Sequence, residues 1–136
     1  MEFSLAGDTF AQKMYCLEEL EVYVLAQQFG EKVWAIVEQW ESFPKWRIGS
    51  QLTEAADSIG SNIAEGYGRY FFKQQVVFCF YARGSLMECR SWLLKAKCRQ
   101  LIDTEKYEEL IADLKIIHRK LNGYIKKLKR SADKKT

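Results

Sequence analysis

Apolar residues recur at steps of three and four along most of this chain, and such steps predict helices rather than strands. The first predicted helix runs from Met14 to about Trp40, with Val22, Ala26, Phe29, Val33, Ile36/Val37 and Trp40 on one face. Ser42-Phe43-Pro44 stops it, because a residue before proline is pushed out of helical geometry. The second starts between Lys45 and Ser50 and carries the seam Leu52, Ala55/Ala56, Ile59, Asn62/Ile63, Gly66. Most of these are small, so a neighbouring helix can come close, and Asn62 needs a hydrogen-bond partner if buried. The third runs from about Phe72 to Gln100, with Phe78/Cys79, Ala82, Ser85/Leu86, Cys89, Trp92/Leu93 and Ala96 on one face. The last runs from about Thr104 to Arg130 along Tyr107, Leu110/Ile111, Leu114, Ile117, Leu121, Tyr124/Ile125 and Leu128. Thr104 is its expected cap, and Glu105, Glu108 and Glu109 suit the positive end of its dipole. The pattern predicts an all-α, antiparallel up-down four-helix bundle.

The third helix carries a second stripe at spacings of seven: Phe80, Met87, Leu94 and Leu101. A surface helix of a monomer needs one apolar face, so this helix is either central or meets another subunit. Phe80, Met87 and Leu94, with the aromatic Phe71 and Phe72 just upstream, are therefore the candidate oligomer interface.

Length and composition keep the picture simple. The chain has 136 residues, 48% hydrophobic and 29% charged, with one proline and no Gly/Ser-rich linker. That suits a single domain with a real core. No apolar run approaches the roughly 20 residues that span a bilayer, and MEFSLAGDTFAQK does not read as a signal peptide. The expectation is a cytoplasmic protein without a membrane partner. Residues 1–13 read as a loosely held extension, 14–130 as the bundle and 131–136 as a flexible basic tail.

Metal and catalytic chemistry are poorly supplied. Cys16, Cys79, Cys89 and Cys98 show no C-x-x-C or zinc-like spacing, and His118 is the only histidine. Cys79 and Cys89 fall on the core face and read as small hydrophobes. Glu54 and Asp57 share a helix, but Ser58 and Ser61 have no nearby base, so no catalytic set, metal or cofactor is expected. Gly66-Tyr67-Gly68 invites comparison with a phosphate loop. It follows a helix instead of opening one, Phe71 stands where a third glycine belongs, and a helix C-terminus repels phosphate. Gly66 or Gly68 is expected in the left-handed conformation that closes the helix.

Charge changes the picture more. Residues 1–66 hold four Lys/Arg against eleven Asp/Glu, whereas residues 67–136 hold seventeen against seven. The halves therefore differ, at −7 and +10, beneath a mild total of +3. Such asymmetry suits a nucleic-acid partner, RNA or DNA, or charge-matched self-association. Arg83, Arg90 and Lys97 share a face of the third helix. Lys115, Arg119, Lys126 and Lys129 share one of the fourth, with Lys120, Lys127 and Arg130 beside them. Rows of cations can follow a phosphate backbone; the plainer reading is a solvated helix face.

FPKWRIGSQLTEAADSIGSNIAEGYGR, followed by FCFYARGSLMEC, resembles the 23S ribosomal RNA intervening-sequence proteins. Phe43, Pro44, Gln51, Leu52, Ala55, Ala56, Ser58, Ile59, Asn62, Ile63, Ala64, Glu65, Gly66, Gly68 and Arg69 carry the resemblance, with Ala82, Gly84, Ser85 and Glu88. It covers roughly residues 17–105. It implies a four-helix bundle, a ring-like homopentamer and no catalytic activity. A related branch, the accessory variability proteins of diversity-generating retroelements, binds a reverse transcriptase and its RNA. This chain departs from the pattern at Glu54, Phe71 and Gln74, and the acid at Glu54 argues against nucleic-acid contact through the second helix. Asn62, Glu65, Arg69, Ser85 and Glu88 are expected to form a polar network between the second and third helices, with Arg69 paired to Glu65 or Glu88 and Gly84 allowing close approach.

Three functions follow in order. The first is a non-enzymatic oligomeric scaffold binding structured RNA through the cationic faces, serving an rRNA insertion or a reverse transcriptase. The second is a structural assembly protein whose acidic and basic halves pair between subunits. An enzyme is the weakest reading.

Overall fold

The computed structural model describes residues 15–135, the last of these by its backbone only. The expected extension over residues 1–13 lies outside the described residues. Four long helices account for most of the chain: α1 (Glu21–Val37), α2 (Ser50–Tyr67), α3 (Phe72–Cys98) and α4 (Thr104–Lys135). A 3-10 turn, Leu17–Glu19, precedes α1, and no strand occurs among the described residues. Each helix packs mainly on two others: α1 on α2 and α4, α3 on α2 and α4.

The expected seams form the core. Val22, Ala26, Phe29, Val33 and Val37 of α1 are buried against Leu52, Ala55, Ala56, Ile59 and Ile63 of α2 and the matching faces of α3 and α4. Each fully buried Leu, Ile or Phe contributes about 1.5–3 kcal/mol of apolar transfer free energy. Cys79 and Cys89 lie in this core, and burial pushes both thiols up to about 12. They remain protonated and pack as small hydrophobes.

The helix ends depart from expectation. Pro44 does not stop helical structure; Ser42–Pro44 is itself a helical turn, running through the π-helical Lys45–Gly49 into α2. Proline is tolerated in a first turn, where its missing N–H has no partner to lose. The chain leaves α1 earlier, at Val37 instead of Trp40. No glycine takes a left-handed conformation among the described residues: Gly68 closes α2 at φ −79°, ψ −3°. Among the described residues, the one positive φ belongs to Gln100, after α3. Asp103, not Thr104, caps α4, its Oδ1 accepting from the Lys106 N–H at 2.7 Å. Helix α4 reaches Lys135, beyond the expected end at Arg130.

Candidate nucleic-acid interface

The two cation rows meet. Arg83 is half-buried on the α4 flank of α3, and its Nη1 donates to Asn122 Oδ1 of α4 at 3.0 Å. Lys129 of α4 reaches back, its Nζ 5.3 Å from the centre of the Phe80 ring. Lys97 lies 4.7 Å from the ring of Tyr107, so the far end of the α3 row also leans on α4. Lys115, Arg119 and Lys126 line an open depression on α4 with His118, Asn122 and Gly123. Arg83, Arg90, Lys97, Lys115, Arg119 and Lys126 enter none of the ion pairs seen among the described residues. Arg83 and Lys129 thus join the two rows across the α3–α4 seam.

Lys120 points elsewhere: its Nζ pairs with Glu21 Oε1 of α1 at 3.3 Å. Lys127, seven positions further along α4, shares that side, and both it and Arg130 are exposed. The α1–α4 seam is laced by opposite charges, with Lys32 Nζ at 2.8 Å from Asp113 Oδ2 and 3.8 Å from Glu109 Oε2. The Asp113 carboxylate raises the Lys32 ammonium above its ordinary value.

The polar motif residues come together only in part. Arg69 Nη2 lies 3.3 Å from Glu65 Oε1, on the same helical end and largely in solvent. Asn62 Nδ2 donates to Ser58 O of its own helix at 2.9 Å. Ser85 is half-buried and Glu88 exposed, and no hydrogen bond among the described residues joins either to Asn62, Glu65 or Arg69. The expected α2–α3 network is thus a set of local contacts, because these side chains sit at the rim of the seam. Gly84 makes no close approach: it is exposed, with nothing within 4 Å of where a Cβ would stand.

Gln75, which the sequence reading passed over, does the bridging. It is the buried polar residue of the described core, 9% exposed, and its Nε2 donates to Arg69 O at 2.8 Å. A Cβ on Gly66 would lie 2.8 Å from Phe78 Cβ and 3.1 Å from Gln75 O, so α2 and α3 touch there with no room for a side chain. The signal was present in the spacing, since Gln75 falls one turn before Cys79 on the core face.

The interface candidates divide. Phe71, Phe80, Met87 and Leu94 are exposed, at 61%, 38%, 47% and 50%, while Phe72 packs against the core. Exposed aromatics also gather at the opposite corner. Trp34 and Trp46 line a groove of about 280 Å³ with Val37, Glu38, Lys45, Ser50 and Thr53. Trp34 lies off the apolar face of α1, which was the available sequence signal.

No group of three or more side chains suited to hold a metal ion occurs among the described residues. No helix among them is long and apolar enough to cross a membrane.

The sequence model of the 23S rRNA-intervening sequence proteins matches residues 18–123. The chain belongs to that family. The family match takes in α1, α2, α3 and α4 as far as Gly123. It therefore includes Arg83, Arg90, Lys97, Lys115 and Arg119, and leaves Lys126, Lys129 and Arg130 beyond its end. Among solved structures, this chain is similar to a protein of unknown function from the S23 ribosomal protein family of Bacteroides thetaiotaomicron. The two are 21% identical with a TM-score of 0.71, over 77% of this chain and 98% of that one. That likeness supports the family fold. Among curated proteins no significant match is found.

Proposed function

We propose that this chain is a non-enzymatic scaffold that self-assembles and binds structured RNA through the joined cationic face of α3 and α4. The observation that carries the reading is that joining: Arg83 meets Asn122 and Lys129 meets Phe80, so two rows form one surface. Helix α3 holds a single acid, Glu88, and α4 holds none between Lys115 and Arg130. Such a surface exceeds what solvation of one helix needs, and it can follow a phosphate backbone and release counterions. The family's name ties its members to segments inserted in 23S rRNA, which supports RNA over other anions. The short links at residues 68–71 and 99–103 favour up-down order of the helices. A ring-like homopentamer in the cytoplasm, serving an rRNA insertion or a reverse transcriptase, completes the reading.

The test is RNA affinity as a function of salt for the native chain and for Arg119→Glu/Lys126→Glu/Lys129→Glu. Three lost phosphate contacts should flatten the slope of log affinity against log salt by about two to three. Equal slopes and equal affinities would remove the proposal. The exposed Phe80, Met87 and Leu94 favour a second reading, assembly without nucleic acid. Its mark is an oligomer that purifies free of RNA, persisting at high salt if the apolar strip holds it and dissociating if the acidic and basic halves do.

A further inference from the structure

Phe80 sits where the two cation rows meet. Its ring is 38% exposed, and two cations from different helices approach it: Arg83 Cζ at 4.9 Å and Lys129 Nζ at 5.3 Å from the centroid. We propose that Phe80, Arg83 and Lys129 form a stacking site for an unpaired nucleobase, so that this face takes single-stranded or looped RNA in preference to continuous duplex. The inference rests on the RNA-binding reading above and specifies its ligand.

The two cations are held differently. Arg83 is tethered across the seam by Asn122 Oδ1 at 3.0 Å while its guanidinium stands over the ring. A planar guanidinium is itself a surface on which bases stack. Lys129 is exposed and ends a long flexible stem. It is the group that yields when a base enters, and its ammonium then follows the incoming phosphate as a point charge. The ring offers a π-face that any base can use, and the cations supply the charge that single-strand grooves place beside such rings.

The rest of the stripe extends this arrangement. Met87 and Leu94 continue the exposed apolar strip at intervals of about 10 Å along α3. Arg90 and Lys97 run beside them. Bases following the first would find an apolar bed, with cations at one edge for their phosphates. Continuous A-form duplex cannot use the ring, because its bases are stacked and its major groove is deep and narrow. An acid-flanked protein helix would match the charge. What favours a base at Phe80 is the pair of cations converging on its ring, and a helix as occupant is an outcome of the test below.

The experiment compares a labelled oligouridylate 12-mer with a 12-base-pair RNA duplex, by fluorescence anisotropy at fixed salt. Proteins are the full chain, Phe80→Leu and Phe80→Trp, with helical circular dichroism confirming the fold. Phe80→Leu should weaken oligouridylate binding about tenfold and leave duplex binding within about twofold. Phe80→Trp should keep or tighten oligouridylate binding. Equal effects on both RNAs, or no effect on either, would overturn the stacking site while leaving the cationic track standing. Binding of duplex alone by the native chain would do the same. If neither RNA binds at low salt, both readings fall together. If Phe80→Leu instead disrupts assembly with oligouridylate affinity intact, Phe80 is a protein contact and the proposal is wrong.

Discussion

The two flanks of α3 are built on different physical terms. Its α2 flank is closed by shape. Gly66 lies against Phe78 and the Gln75 backbone, and the buried Gln75 amide donates to Arg69 O. Arg69 then covers the seam, its Cζ 4.8 Å from the centre of the Phe78 ring. Its α4 flank is joined more loosely, by Arg83 to Asn122 and by cations resting on Tyr107 and Phe80. The first flank has no space for an added carbon; the second has exposed apolar surface and unpaired cations. Most of the motif block that carries the family resemblance lies on α2 and its junction with α3. The proposed RNA surface lies on the other flank and has no motif of its own. On that reading the motif block would record how α2 and α3 pack, and the proposed binding surface would lie beside it.

Two glycines test that contrast. Gly66→Ala should cost about 2 kcal/mol, because its methyl meets backbone that cannot move aside without separating α2 from α3. Urea unfolding measures it, and a loss below about 0.5 kcal/mol would mean that the seam is not shape-limited. Gly84→Ala should do the reverse. That residue lies inside α3 with open space around it, so a methyl removes backbone entropy from the unfolded chain and should stabilise by about 0.5–1 kcal/mol. A destabilised Gly84→Ala would reveal a close partner at that position and undo the distinction.

The seams were legible because 3.6-residue periodicity is strong over helices this long, and the buried faces of all four follow it. The ends were less so. A proline at a helix start and a proline after a helix stop look alike in sequence, and nothing in Lys45–Gly49 announces a π turn. Asp103 and Thr104 are both good caps, and only the backbone decides between neighbours. Gly68 suggested a left-handed close, yet the turn after α2 is made without one. The cation rows were legible from spacing alone. Their union was not, because it depends on how α4 is rotated against α3, which brings Asn122 under Arg83 and sends Lys120 to Glu21. The polar network formed only in its Arg69–Glu65 pair, with Glu65, Arg69 and Glu88 exposed and Asn62 bonded within its own helix.

Arg83→Met addresses that union directly and should have the smallest effect on stability. Methionine keeps an unbranched stem to pack beside Phe80 and removes the charge and the bond to Asn122. The bond is half-buried, and Asn122 remains accessible to water once freed, so the loss should be about 0.5 kcal/mol or less. RNA binding should respond more clearly, with the salt slope flattening by about 0.7–0.9, the share of one phosphate contact. The two readouts separate the flanks. A substitution at Gly66 should lower stability and leave the salt slope of the folded protein alone, whereas one at Arg83 should change the slope and barely move stability. If Arg83→Met destabilises as much as Gly66→Ala and leaves RNA binding unchanged, the α3–α4 flank is a second packing seam, and the cations on it are solvated ornament of a helix pair.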